Sequence, residues 1–379
     1  MRSLSVIISN GATVLAEPWG PLQTLNPYTS LAFHALVILS LSGLAGILYS
    51  KIRERIAFHS AQINHGCQKP PSYPHKGWIS LDLVRERQIS SDEGHLTAHY
   101  DYWFNRLGHT REETLAGQRL INPIDITNAR AVFHADMNTL GRAGGFHRKD
   151  LLGPGIFSSD GPRWKFSRNM INSLFSKAEV RSTTMLKRHV DRLIAQIPRD
   201  SNTIDVQPLL KKMNFDASAE FIFGKSTDSL LPETPYSNGN LIEAFNYASA
   251  GSLKRRKAGL LAFRCSLDRR YTRDVAWVHT FVDQEVRRVL NQPSDADESK
   301  PNRWNYMTTP PEFVPFGGGR RICPAYHQVY LQSAYIFIRL TKEFEDIENR
   351  DPVLEYIELD RNLTESRNGV KIGLTVAKA

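Results

Sequence analysis

Cysteine is scarce in this chain. Its 379 residues include three, Cys67, Cys265 and Cys323, and no two stand in C-x-x-C spacing. That excludes a disulfide framework, fits a reducing compartment, and leaves any sulfur chemistry to one thiol acting alone. Acidic charge is also short: 39 Asp and Glu stand against 48 Lys and Arg, a formal net charge of +9. Such an excess suits an anionic membrane or an acidic protein partner. No zinc-finger spacing and no basic helix interleaved with aromatics accompanies it, so nucleic acid is not expected as a partner. Internal repeats are absent and strand signals few. Apolar residues are plentiful: 41% hydrophobic against 23% charged excludes a disordered composition. The length suits one large domain or two smaller ones.

One apolar run stands out. Leu31 to Tyr49, "LAFHALVILSLSGLAGILY", is nineteen residues without a formal charge at neutral pH. As a helix it spans about 28 Å, enough for the hydrocarbon core of a bilayer. The first thirty residues carry only Arg2 and Glu17, whereas Lys51, Arg53 and Arg55 follow the run at once. This asymmetry predicts a single-pass anchor with the main body in the cytosol. A cleaved signal peptide is the alternative; the length of the run, its distance from the start and the lack of a small-residue cleavage site count against it. Residues 1–30 form an N-terminal lead without a clear period. Residues 50–77 read as a basic and proline-rich linker, stiffened by Pro70, Pro71 and Pro74.

Helices are expected over Ile124 to Met137, with Asp125 and Thr127 as caps, and over Gly161 to Phe175, opened by Gly-Pro. Others are expected over Val180 to Ile197, Asp205 to Phe223 ended by Gly224, Leu241 to Ala250, and Asp274 to Leu290. Strands are expected at Thr114 to Leu120 and Val370 to Val376, so the fold class is mainly α with a small β component. The run Lys254-Arg255-Arg256-Lys257 reads as a solvated face, with contact to a membrane surface as the second reading.

The stretch "EFVPFGGGRRICPAYHQVY", Glu312 to Tyr330, poses the chemical question. A phosphate-binding loop needs Lys and Ser/Thr at the start of the following helix, and Arg320-Arg321-Ile322-Cys323-Pro324 stands there instead. A thiolate reading fits better. A cysteine just before a helix sits where backbone amides and the helix dipole favour negative charge. Pro324 suits the first helical position, and Tyr326 to Phe344 suits a buried helix. Gly317, Gly318 and Gly319 allow close backbone approach to a large planar ligand. Arg321 can reach a carboxylate on that ligand, and Phe316 can shield the sulfur. Such a thiolate beneath a haem iron favours O–O cleavage.

Phe316 to Ala325, "FGGGRRICPA", resembles the haem-binding loop of the cytochrome P450 monooxygenases, with Ala325 at a position where glycine is more usual. Trp164 and Arg168, four apart and so on one helix face, follow "GIFSSDGPR" and are similar to the family's haem-propionate helix. Pro301-Asn302-Arg303-Trp304 resembles its P-E-R-F/W segment, with Asn for Glu. Phe215 to Leu230, "FDASAEFIFGKSTDSL", looks like the fungal subgroup that hydroxylates alkanes and fatty acids. The resemblance implies a cytochrome P450-like domain over residues 78–379. Cys323 would be the axial iron ligand of haem b, and Trp164, Arg168 and Arg321 would hold propionates. Electrons would come from NADPH through NADPH-cytochrome P450 reductase. The substrate would be a small apolar molecule, fatty-acid-like or an intermediate of secondary metabolism, and the site the endoplasmic reticulum membrane with a cytosolic body.

The resemblance breaks between Arg168 and Cys323, which lie closer in sequence than in the family. The oxygen-activation pattern [AG]-G-x-[DE]-T-[TS] is missing; the acid-threonine pairs present, Glu113-Thr114 and Glu233-Thr234, lack its glycine. The E-x-x-R of Glu285 to Arg288 is read as solvated charges on a helix face, not as the family's motif. An internal deletion is therefore expected near 290–304, leaving the fold incomplete, without the oxygen-activation and E-x-x-R helices. Apolar faces that would have packed on them should be exposed. Two functions follow: a membrane-anchored haem-thiolate monooxygenase, or a catalytically inactive anchored remnant of one. A phosphate-binding protein is the third and least supported.

Overall fold

The structure is a computed structural model that describes residues 27–77, 80–115, 118–134, 141, 148–177, 182–232, 240–258, 265, 267–291, 315–361 and 363–377. The chain divides into two compact units, Met1–Lys69 and Pro70–Ala379. Glu233-Thr234 and Pro301 to Trp304 lie outside the described residues, as does most of the expected join at 290–304.

The described part of the first unit is one helix, α1 (Pro27–His65). The run Leu31 to Tyr49 lies inside it and is exposed along its length. Its apolar window has a mean hydropathy of 2.1, and by length and composition the helix is able to cross a membrane. It continues past Lys51, Arg53 and Arg55, because neither proline nor glycine interrupts the chain between Tyr49 and His65. Gly66, at φ 63°, then ends it, its amide donating to the Gln62 carbonyl at 3.1 Å.

Among its described residues the second unit is mostly helical, with three small antiparallel sheets. Helices α2 (Leu81–Glu93) and α3 (Leu96–Leu107) precede a hairpin of β1 (Thr110–Leu115) and β2 (Gln118–Pro123). The expected single strand at Thr114 to Leu120 is thus a correction: those residues straddle the hairpin, with Thr114 paired to Arg119. Helix α4 (Ile126–His134) is capped by Asp125, whose Oδ1 accepts from the Thr127 amide at 2.9 Å. Then come α5 (Lys149–Leu152), α6 (Gly161–Lys177) and α7 (Ser182–Ala195). After β3 (Ile204–Asp205), α8 (Val206–Phe223) is opened by the Asp205 side chain and closed by Gly224 at φ 70°. Helix α9 (Asn240–Ala258) runs past the expected end at Ala250, and α10 (Arg269–Leu290) starts earlier than expected, capped by Asp268. The chain closes with α11 (Tyr326–Glu343), β4 (Phe344–Asn349), β5 (Glu358–Asp360), β6 (Thr364–Ser366) and β7 (Lys371–Val376). Strand β7 lies between β3 and β4, while β5 and β6 form a separate hairpin.

Two apolar clusters hold the second unit together. One joins Leu186, Val190 and Leu193 of α7 to Met213 of α8, Phe344 of β4 and Leu374 of β7. The other joins α5, α9 and α10 through Leu151, Ala244, Ala248, Tyr271 and Val278. Gly251 permits that approach, because a Cβ there would overlap the Tyr271 ring.

Three local expectations are corrected by packing. Glu285 is 8% exposed, not solvated; its Oε2 accepts from Arg288 Nε at 2.7 Å, and Arg288 donates onward to the carbonyl of Phe223 at 2.5 Å. The pair thus closes the end of α8. In the basic run, Lys254 and Arg256 are exposed, but Arg255 pairs with Asp150 and lies 4.2 Å over the Tyr271 ring. Helix α11 is not a buried helix: none of its residues is fully buried, and Phe337 is 65% exposed.

Candidate functional site

Trp164, Arg168, Phe316, Arg321 and Cys323 all line one cavity of about 470 Å³ in the second unit. Its walls are α4, the turn before α6, the first turns of α6, and the loop that enters α11. The i, i+4 spacing brings Trp164 and Arg168 to the same face of α6, as expected.

The loop is folded back on itself. The Cys323 amide donates to the Phe316 carbonyl at 2.9 Å, and the Ile322 amide to Gly319 at 3.2 Å. Residues 319–321 make a single 3-10 turn. Helix α11 begins at Tyr326 with Ala325 at its cap, so Pro324 lies two residues before the first helical position it was expected to fill. Cys323 is half-buried. Phe316 packs edge-to-face on Tyr330, with ring centroids 5.2 Å apart, and also lines the cavity.

Two of the three loop glycines meet protein rather than open space. Gly319 has φ 58°, and an added Cβ would overlap the carbonyl of Phe133 in α4. At Gly318 it would lie 3.0 Å from the Phe133 ring. The loop therefore seats on α4, and only Gly317, at φ 72° with nothing within 4 Å of an added Cβ, faces free space.

Positive charge dominates the lining, with Arg168, Arg320 and Arg321 on it. The Arg321 guanidinium lies 4.7 Å over the Trp164 ring and pairs through Nη2 with Asp160 Oδ1. Its Nη1 is buried without a hydrogen-bond partner. Among the described residues Arg168 makes no hydrogen bond. Burial draws its guanidinium below the ordinary arginine value, and negative charge at Cys323 works against that shift. A half-buried sulfur, two arginines with unmet donors and an indole in one cavity form a donor set suited to a haem with its two carboxylates.

Sequence reasoning missed Asp160, Phe133 and Phe157. Asp160 carries a legible signal, an acid directly before the first turn of α6. Phe133 and Phe157 carry none, because aromatics on α4 and in a turn read equally well as core. No acid–threonine pair among the described residues lines the cavity. Glu113-Thr114 sits in β1, where Glu113 is fully buried between Arg87 and Arg111.

Residues 71–298 match the family profile of Cytochrome P450, a span that ends before the cysteine loop. The chain is similar to the cytochrome P450 monooxygenase fsdH of Fusarium heterosporum, 30% identical over 234 residues, or 61% of this chain and 40% of that protein. It is also similar to cytochrome P450 52A3-B of Candida maltosa, 29% identical over 249 residues, 62% of this chain and 47% of the other. The cytochrome P450 monooxygenase iccC of Talaromyces variabilis is 26% identical over 280 residues, 69% of this chain and 52% of the other. The chain spans about half the length of the curated relatives it matches. With the profile covering more than half of its residues, and a cysteine loop and W-x-x-x-R pair gathered round one cavity, this chain belongs to the cytochrome P450 family.

Proposed function

We propose that the chain is a membrane-anchored haem-thiolate monooxygenase in which Cys323 would hold the iron of haem b. The observation that carries the reading is the convergence of Cys323, Arg321, Arg168 and Trp164 on one cavity from two distant segments. When bound, haem b supplies the O₂ chemistry by which one oxygen atom enters an apolar substrate. The chain's own part is binding and positioning. The bond from the Cys323 amide to the Phe316 carbonyl holds the sulfur-bearing loop closed. Arg168 and Arg321, with donors to spare, would hold the two propionates, and the Trp164 indole N–H would add a third donor.

Helix α1 serves as the single-pass anchor through its apolar run Leu31 to Tyr49. The basic residues after Tyr49 keep the body on the cytosolic side of the endoplasmic reticulum. The remaining basic surface favours an acidic redox partner, NADPH-cytochrome P450 reductase. The substrate class, fatty-acid-like or a secondary-metabolite intermediate, rests on the subgroup resemblance of Phe215 to Leu230. An internal deletion near 290–304 accounts for the short stretch between α10 and the cysteine loop.

The second reading is an inactive remnant that keeps the anchor and the cysteine loop. It is favoured by the exposed apolar face of α11, where Phe337 and Ile338 are 65% and 53% exposed, and by the lack of an acid–threonine pair on the cavity among the described residues. Spectra and turnover separate the two. The reduced, carbon monoxide-treated chain is expected to show the strongly red-shifted Soret band of a thiolate complex, lost in Cys323→Ser. No such band in the wild type overturns the haem reading. A band without oxidation of any of a panel of fatty acids and other apolar molecules in the presence of NADPH and reductase supports the remnant.

A further inference from the structure

Arg321 spends its charge on a protein carboxylate, although it stands where a haem carboxylate would be held. Its Nη2 pairs with Asp160 Oδ1, while Nη1 of the same guanidinium is buried without a hydrogen-bond partner. The arginine is one quarter exposed and Asp160 is 42% exposed, so the aspartate can swing toward water while the guanidinium stays stacked on Trp164. Asp160 is also fastened to the same helix from behind: its carbonyl accepts from the Trp164 amide at 3.4 Å, one turn into α6. Asp160 thus touches both segments that build the cavity, and it is the one carboxylate that the arginines there have as a partner among the described residues.

We propose that Asp160 is a stand-in carboxylate, which holds Arg321 in the haem-free chain and is exchanged for a propionate when haem binds. This rests on the haem reading above. Asp160 thereby competes with the ligand: haem affinity is reduced by the fraction of chains in which the pair is closed. It also ties the cysteine loop to α6 before the cofactor arrives. A purely structural ion pair would strengthen both forms alike, whereas an exchanged one stabilises the haem-free form alone.

Asp160→Asn keeps the shape and the capping ability of the residue and removes the charge. Ferric haem is titrated into the full-length chain in detergent micelles and followed at the Soret band, and thermal midpoints are taken with and without haem. Asp160→Asn is expected to bind haem about three- to fivefold more tightly, the scale set by a part-exposed ion pair. The haem-free midpoint should fall and the haem-loaded midpoint stay unchanged. In an Arg321→Gln background the gain in affinity should vanish. Weaker or equal haem binding with both midpoints lowered overturns the exchange and leaves a structural pair. A gain that persists in Arg321→Gln overturns it as well, since the effect would then be general charge. If neither wild type nor Asp160→Asn takes up haem, the haem reading falls and the exchange with it.

Discussion

The guanidinium of Arg321 lies 4.7 Å above the indole of Trp164. The two residues come from the cysteine loop and from α6, segments far apart in the chain, and each is suited to hold a carboxylate. Their stacking is the contact that makes one site from two sequence motifs. A cation over an indole is worth about 0.5–2 kcal/mol, depending on how well water is excluded. Trp164 is 7% exposed, which places this pair toward the upper part of that range.

The seating of the loop on α4 separates two glycines that look alike in sequence. Gly319→Ala meets both a left-handed backbone and overlap with the Phe133 carbonyl, so a loss of about 2 kcal/mol or more is expected. Gly317→Ala meets only the backbone strain, at about 1 kcal/mol. Urea unfolding of the two variants, compared at equal slope, reads the difference. Equal losses would mean that the loop does not rest on Phe133.

Glu113 is a structural carboxylate. It is fully buried with Arg111, pairs with Arg87, and accepts from Asn122 Nδ2 at 2.6 Å. Glu113→Gln leaves two guanidiniums without their anion in a desolvated place. The expected cost is about 3–5 kcal/mol, enough to depress the yield of folded protein. A fluorescence melt of the variant is the check; a change under 1 kcal/mol would show that water reaches the cluster.

Asp268 supplies a pH-dependent term. The Tyr271 amide donates to its Oδ1 at 3.0 Å and holds its carboxyl below the usual range against opposing desolvation, and the Tyr247 hydroxyl donates to Oδ2. A carboxyl depressed in the folded chain contributes stability that is fully present above its unfolded pKa. That stability is lost as pH falls through the folded pKa. Asp268→Asn keeps the cap and should flatten this part of the stability–pH curve, while Asp268→Ala should cost about 1 kcal/mol at neutral pH. A denaturation series from pH 7 downward distinguishes them.

The exposed face of α11 makes a prediction about association. Phe337→Ser should leave stability within about 0.5 kcal/mol, because the side chain is 65% exposed. The same change should lower binding of a hydrophobic dye and reduce self-association in sedimentation runs. A loss of several kcal/mol would instead mean that the face is covered in solution.

The sequence itself determined what short-range chemistry determines. Asp125, Asp205 and Gly224 mark helix ends because caps act within one turn. The loop from Phe316 to Cys323 and the Trp164–Arg168 pair were readable because their spacing sets their geometry locally. So was the apolar run from Leu31, whose length is its message. Helices α2 and α3 escaped notice because their inward-facing groups include Glu86, Arg87 and Tyr100, which bind through polar and cation–π contacts and leave no clean apolar stripe.

Which distant groups meet is set by the packing of the folded chain. That Arg321 pairs with Asp160, that Arg288 closes the end of α8, and that Gly319 abuts Phe133 depend on where one segment lies against another. The same holds for α11, whose apolar sequence suits a buried helix. Hydrophobicity states what a side chain gains if it is covered; whether anything covers it is a property of the neighbours, and the second unit leaves Phe337 and Ile338 in water.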